Sequence, residues 1–555
     1  MENGKGHGKI ERSPAPCLFM PVVQYEIGSA AHANGQTSGQ TNGQTSGQTN
    51  GQTNGQTNGQ KLKETQAQSL QFLHQCQQQA IASNQPKIAS LSFLVAPIAP
   101  WDALAELGSA QARHFYYDSP RKSALQQAYS HQAAAQTAAV RNRSMVGVGT
   151  VVECRSEGDA RFDQAQSFID FWQSHFCIAE VIGPPAQIDK ATQPLTRGHF
   201  FCSATFFADA EQAGYFEPTY VFVPAVQVST RLHRSVVAFN RLITPESNAD
   251  AVVAEIYGQL EQLLAANHQA AESVGAAVQP TERCQFTKDV DGFEQTVRSV
   301  LSQMRSHAAH KVVLADVADV VMPNNVDVVR SLQTLHRNHP DCTVFSVGNG
   351  KGQSFIGASP ECLLRISAGE LTTEALAGTA PRSQDSGLDT QLGQSLLSSR
   401  KERYEHTVVV EFILDQLRSL GLSPHYSQDP KLLKLLNLQH LHTPISAALK
   451  ETVQPLKILA KLHPTPAVAG VPRQLACQFI RQYETFDRGL YTAPIGWIDT
   501  EGNSEFIVGI RSALIDGRKA RLYAGAGIVS GSEPKKELAE IRLKLQALLN
   551  ALVCG

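Results

Sequence analysis

From Lys311 onward, short strand-like and helix-like segments follow one another without a long break. They are KVVLADVADVVM (311–322), CTVFSVGNG (342–350), LLRISAG (363–369), RKERYEHTVVVEFILDQLRSL (400–420), EFIVGIRSALI (505–515) and RLYAGAGIV (521–529). A chain written this way must build sheets and pack helices on them, which is the α/β or α+β class. The stretch ahead of it carries the same signals. KLKETQAQSLQFLHQCQQQAI (61–81) spaces Leu and Phe as a helix does, KIASLSFLVAPI, SMVGVGTVVE and YVFVPAVQVS read as strands, and helical periods recur at 160–175, 248–267 and 290–309.

Residues 35–60 repeat GQTN and GQTS in tandem. Such residues bury too little apolar surface to offset the entropy of ordering, so the repeat is expected to be a flexible linker. CLFMPVVQYEI (17–27), ahead of it, reads as a short tethered strand. The expected plan is therefore a disordered tail over 1–60 and one domain over 61–555, with its catalytic core at about 290–550.

Composition narrows the function classes. A net charge of −2 in 555 residues gives no reason to expect nucleic acid or an anionic membrane as partner. No apolar run approaches the ~20 residues a bilayer span needs. The first residues lack the apolar core of a secretory signal, and ten cysteines without a CxxC pair fit reduced thiols. A cytoplasmic protein is expected. The glycine-rich AGAGIVSGSEPKKE (524–537) has neither the Lys-Ser/Thr of a phosphate loop nor the spacing of a dinucleotide fingerprint.

Three segments carry candidate chemistry. GASPECLLRI (357–366) reads as strand, turn, strand, with Glu361 alone in an apolar run. A lone buried charge is costly, so Glu361 is paired, wet, or there for chemistry. GSEPKKELAEIRLKLQALL (531–549) opens a helix with Ser532 as cap and Pro534 in the first turn, and sets Glu537, Glu540 and Lys544 on one face. That stripe is either a solvated surface with an (i, i+4) ion pair or, following the glycines of YAGAGIV, part of a carboxylate site. In SSRKERYEHTVVVEFILDQL (398–417), Lys401 and Glu405 share a face. Val408, Val409, Phe412 and Ile413 mark the buried side, with Glu405 near its edge. Carboxylates from two helices with open positions suit Mg2+.

Taken together, eight motifs stand in one order: KVVLA (311–315), GASPECLL (357–364), TEALAGTAPR (373–382), RKERYEH (400–406), LHPTPAVAG (462–470), FDRGLY (486–491), GIRSA (509–513) and YAGAGIV followed by Glu537, Glu540 and Lys544. The series resembles the chorismate-utilising enzymes, a family that includes isochorismate, salicylate, anthranilate and aminodeoxychorismate synthases. The likeness is strong over about 290–550 and extends more loosely back to about 190, through GHFFCSATF and VFVPAVQVS.

The resemblance implies a large layered sheet sandwich, with helices around a central pocket, that binds chorismate and Mg2+. It implies that Lys311 is the general base activating water for attack at C2, and that Glu361 is the general acid protonating the departing C4 hydroxyl. It makes Glu405 and Glu540 the magnesium ligands, with Glu402 and Glu537 holding the metal's waters. Arg511, Tyr523, the backbone of Gly525, Ala526 and Gly527, and Lys544 would grip the substrate carboxylates, while Gly378, His440, Ala467 and Tyr491 would line the ring pocket. Such an acid must stay protonated, which an apolar surrounding favours, and such a base must shed its proton near neutrality.

Ala467 stands where salicylate- and anthranilate-type members carry Thr, and LHPTPAVAG is close to the isochorismate synthase form. Isochorismate synthase, an isomerase, is therefore the expected activity, feeding menaquinone, phylloquinone or siderophore synthesis. Salicylate synthase and a non-catalytic chorismate binder are the alternatives. No glutaminase partner is expected. The family usually follows KVVLA with Arg, and this chain has Asp316.

Overall fold

The computed structural model describes residues 50–108, 112–120, 143–182, 192–209, 214–231, 233–272, 284–307, 309–435, 438–450 and 452–553. Residues 17–27 and the first part of the Gly-Gln-Thr repeat lie outside them. Among the described residues the strands form two sheets, one of 13 strands and one of ten, with helices packed on both. Neighbouring strands pair antiparallel almost throughout, apart from the edge strand Phe176–Ile178, which runs parallel to Lys87–Val95. No described helix is long and apolar enough to cross a membrane.

The larger sheet holds the longest pairing that bears on the site. Lys311–Val321 runs antiparallel to Lys519–Val529 along its whole length, with Lys311 opposite Val529, Val313 opposite Gly527 and Ala315 opposite Gly525. Strand side chains alternate, so this register fixes two faces. Val312, Leu314, Ala526 and Ile528 fall into the main core. Lys311, Val313, Tyr523, Gly525 and Gly527 look the other way, into a cavity.

In the smaller sheet, Cys362–Ser367 lies between Ser504–Val508 and Glu370–Pro381, and the last of these pairs with Leu438–Ala448. The register slips between Ala377 and Thr379, where Gly378 takes φ +75°. A left-handed residue with no Cβ is what such a bulge needs. Helix Arg400–Ser419 packs on this sheet, and the Ser399 hydroxyl caps it by accepting the Glu402 N–H.

Three expectations need correcting. Helix Asn50–Ser83 starts inside the repeat, ahead of Lys61. Phe72, Leu73, Cys76 and Ala80 anchor its downstream half in a core, and once that half is nucleated each further residue adds a hydrogen bond. SMVGVGTVVE, YVFVPAVQVS and EFIVGIRSALI are each two strands, Arg143–Val148 and Val152–Ser156 in the first case, Thr219–Val223 and Val226–Arg231 in the second, Ser504–Val508 and Ser512–Asp516 in the third. The chain turns at Gly149 (φ +70°) and Arg511 (φ +51°). Ser532 lies one residue too early to cap helix Pro534–Val553; its hydroxyl accepts the Val529 N–H at 3.1 Å and bonds the Glu537 carboxyl.

Candidate active site

A cavity of about 180 Å3 opens between the two sheets, closed on its other sides by helices Arg400–Ser419 and Pro534–Val553. Of the sequence-predicted site residues, Lys311, Glu361, Gly378, Glu402, Glu405, His440, Ala467, Tyr491, Arg511, Tyr523, Gly525, Gly527, Glu537, Glu540 and Lys544 all line it. Ala526 is the exception: strand alternation turns its side chain into the core.

Each wall follows from local structure. The glycines at 525 and 527 leave room where side chains would stand. A Cβ on Gly527 would come within 3.1 Å of Lys311 Cε and 3.5 Å of Glu405 Oε2, and one on Gly525 within 3.0 Å of the Tyr491 hydroxyl. Tyr491 and Tyr523 stack with ring centroids 5.1 Å apart, forming a flat apolar side. Lys311 Nζ meets Glu405 Oε2 at 3.5 Å, and both side chains are buried. Glu405 lies within the buried stripe of its helix, with Val409 and Ile413 one and two turns on, and not at the edge of that stripe; Val408 is only half-buried.

Glu361 sits at the turn between Gln353–Ser359 and Cys362–Ser367, where Ser359 ties the backbone by donating to the Val508 carbonyl at 2.6 Å. Burial, with the Glu374 carboxylate adding to it, pushes the Glu361 carboxyl up to about 8 against the opposing pull of Lys311 and Arg511. The carboxyl is thus a neutral proton donor at neutral pH. Glu374 escaped the sequence reading, although TEALAG places it in an apolar strand as GASPECLL places Glu361. It accepts the Cys362 N–H at 2.8 Å and pairs with His442 at 2.8 Å. His440 is driven down to about 3 by burial and by Arg511, so its ring is neutral beside the Arg511 guanidinium at 3.4 Å.

Four glutamates gather at the helix-lined end. Glu402 is raised by burial and by Glu405, and Glu537 by burial and by the charges of Glu540 and Glu405. Burial alone would lower Lys401, but Glu405, Glu402, Glu537 and Glu540 outweigh it and raise the ammonium, which lies 3.6 Å from Glu402 and 3.7 Å from Glu405. Lys544 pairs with Glu540 at 2.7 Å, the (i, i+4) contact of its helix, and donates to the Gly525 carbonyl at 2.8 Å. Among the described residues no three carboxylate, imidazole or thiol groups already stand together as a cage for one ion. The chemistry of the donors nevertheless fits a hard divalent cation. They are clustered oxygen anions from two helices, with two of the carboxyls raised by burial and then by their neighbours' charge, and one side open to the cavity.

A buried clamp, also missed in the sequence, holds the walls in register. Arg488 forks onto Glu484 at 2.8 and 2.5 Å, and donates to the carbonyls of Val468 and Val313 and to the Thr492 hydroxyl. Glu484 in turn accepts the Ala315 N–H at 2.8 Å. Val313, Val468 and Thr492 all line the cavity, so one ion pair ties three of its segments. The only sequence signal is an (i, i+4) Glu-Arg spacing, which says nothing of burial. Asp316 lies on the opposite face of its strand from Lys311 and pairs with Lys288 at 3.4 Å.

Residues 71–553 match a family described as chorismate binding enzyme. The chain is 32% identical over 475 residues to the salicylate biosynthesis isochorismate synthase of Pseudomonas aeruginosa, covering 85% of this chain and 92% of that protein. It is 33% identical over 374 residues to isochorismate synthase EntC of Escherichia coli K12, covering 67% and 90%. The solved structure of MenF, the menaquinone-specific isochorismate synthase of Escherichia coli, superposes with a TM-score of 0.62 at 26% identity over 87% of this chain and all of that one. The fold is shared more distantly with anthranilate synthase component I of Streptococcus pneumoniae, at TM-score 0.57 and 18% identity.

Proposed function

The chain belongs to the chorismate-binding enzyme family, and from that premise we propose that it is an isochorismate synthase, isomerising chorismate by adding water at C2 and losing the C4 hydroxyl. Relatives of that name and the buried, proton-holding Glu361 facing the same cavity as Lys311 support this reading.

In this reading Lys311 takes a proton from the attacking water and Glu361 delivers one to the departing hydroxyl, so one water enters as another leaves. The stacked Tyr491 and Tyr523 hold the ring, and Ala467 keeps its edge of the pocket apolar. Arg511, Lys544 and the backbone of Gly525 and Gly527 orient the two carboxylates, and the clamp at Arg488 keeps Lys311's strand in place. Glu405 and Glu540 would hold Mg2+, with Glu402 and Glu537 holding its waters, and the ion would supply positive charge opposite the ring carboxylate. Residues 61–555 act as one domain with its core at 290–550, without a glutaminase partner, in the cytoplasm, and the product serves quinone or siderophore synthesis.

The test is to incubate the chain with chorismate and Mg2+ and identify products. Isochorismate alone is the expected result. Pyruvate with salicylate would replace the reading by salicylate synthase, and unchanged chorismate would leave only a binder.

A further inference from the structure

Behind Arg511 and Lys544 lies a second cavity of about 540 Å3, three times the size of the first and sharing those two residues with it. Its body is apolar, built from Leu335, Leu435, Leu438 and Leu548, and Leu543 stands 57% exposed among its lining residues. Two of its three cations are already engaged: Arg382 pairs with Asp389 at 2.6 Å, and Lys544 with Glu540. Arg511 is not. Among the described residues it has no carboxylate at ion-pair distance. Nη2 faces His440 of the first cavity at 3.4 Å, while Nη1 has only the thiol of Cys342, a lining residue of the second, at 3.8 Å. A sulfur at that distance is a weak partner for a half-buried guanidinium nitrogen. A carboxylate would complete the fork, and the leucines would cover an apolar ring attached to it.

We propose that the second cavity binds a small aromatic carboxylate, its ring among the leucines and its carboxylate on Arg511 Nη1, and that this ligand and the ligand of the first cavity compete for the same guanidinium. The binding half stands on the cavity alone. The competition half rests on the reading of Arg511 as a substrate grip. Because coupling is reciprocal, chorismate must weaken the second ligand as much as the second ligand weakens chorismate.

The probe is benzoate, titrated calorimetrically into the full chain, with chorismate kinetics run in parallel. Leu438→Trp fills the cavity, and Leu543→Glu adds a repelling charge at an exposed position that should leave the fold alone. Each should weaken benzoate by about tenfold or more. In the unaltered chain benzoate should raise the KM for chorismate, an effect that Leu543→Glu should diminish while leaving turnover without benzoate unchanged. No benzoate binding, or binding and inhibition equal in all three chains, would overturn the proposal, since the probe would then occupy only the first cavity or none. If chorismate is not turned over at all, loss of calorimetric binding in both variants still upholds the site while the catalytic reading fails.

Discussion

Lys311 Nζ lies 3.5 Å from Glu405 Oε2, joining the larger sheet to a helix that packs on the smaller one. Both side chains are buried, so each satisfies a charge that would otherwise be stranded. Under the proposed roles of Lys311 as base and Glu405 as metal ligand, this contact is a resting arrangement that substrate and cation would rearrange. Four consequences can be measured.

Glu361→Gln keeps the shape of the side chain and removes its proton. Turnover should fall by roughly 10^2 to 10^4 while chorismate binding survives. In the unaltered enzyme the rate should decline as pH rises through about 8, where the donor loses its proton. The folded-state value lies above the ordinary 4.5, so the folded form holds this proton more tightly than the unfolded chain. The stabilisation is complete below the ordinary range and is lost as pH climbs toward 8. Melting curves across that window should therefore flatten in Glu361→Gln; an unchanged pH slope would count against the raised carboxyl.

Gly527→Ala adds one methyl 3.1 Å from Lys311 Cε, a flexible side chain that can yield. The fold should lose less than about 1.5 kcal/mol, but displacing the amine should cost on the order of 10^2 in kcat. Denaturant unfolding and steady-state rates measured together check this, and a variant with full activity would show that Lys311 needs no fixed position.

Arg488→Met should destabilise the chain by about 3–5 kcal/mol, because it strands the buried Glu484 without its partner. The double variant Glu484→Gln with Arg488→Met should unfold less readily than Arg488→Met alone. Additive losses in chemical denaturation would mean that the two side chains act independently.

Glu540→Ala should raise the Mg2+ concentration needed for half-maximal turnover by roughly tenfold or more. An unchanged titration curve would remove Glu540 from the metal site.

Much of this was legible in the sequence because the signals are local. Strand alternation alone separates Lys311, Gly525 and Gly527 from Leu314 and Ala526. The stripe Glu537, Glu540, Lys544 follows from helical spacing, and the structure turns all three toward the cavity. Lys544 and Glu540 form the expected (i, i+4) ion pair, partly buried at the cavity wall, while Glu537 is buried near the other glutamates. What stayed hidden depends on distant partners. Arg488 finds Val313 from 175 residues away, and nothing around either residue announces it. The break at Arg511 is hard to read locally, because Phe506–Val508 and Ala513–Ile515 are apolar on either side of it, and only the pairing of the two halves with different sheets forces the turn.

The closing helix, Pro534–Val553, has a consequence for synthesis on the ribosome. It brings Glu537, Glu540 and Lys544 to walls whose other parts begin at residue 311. A nascent polypeptide still short of this segment has Lys311, Glu361, Glu402 and Glu405 but nothing to shut them in. The hollow between the two sheets therefore stays open to water until the last turns are made.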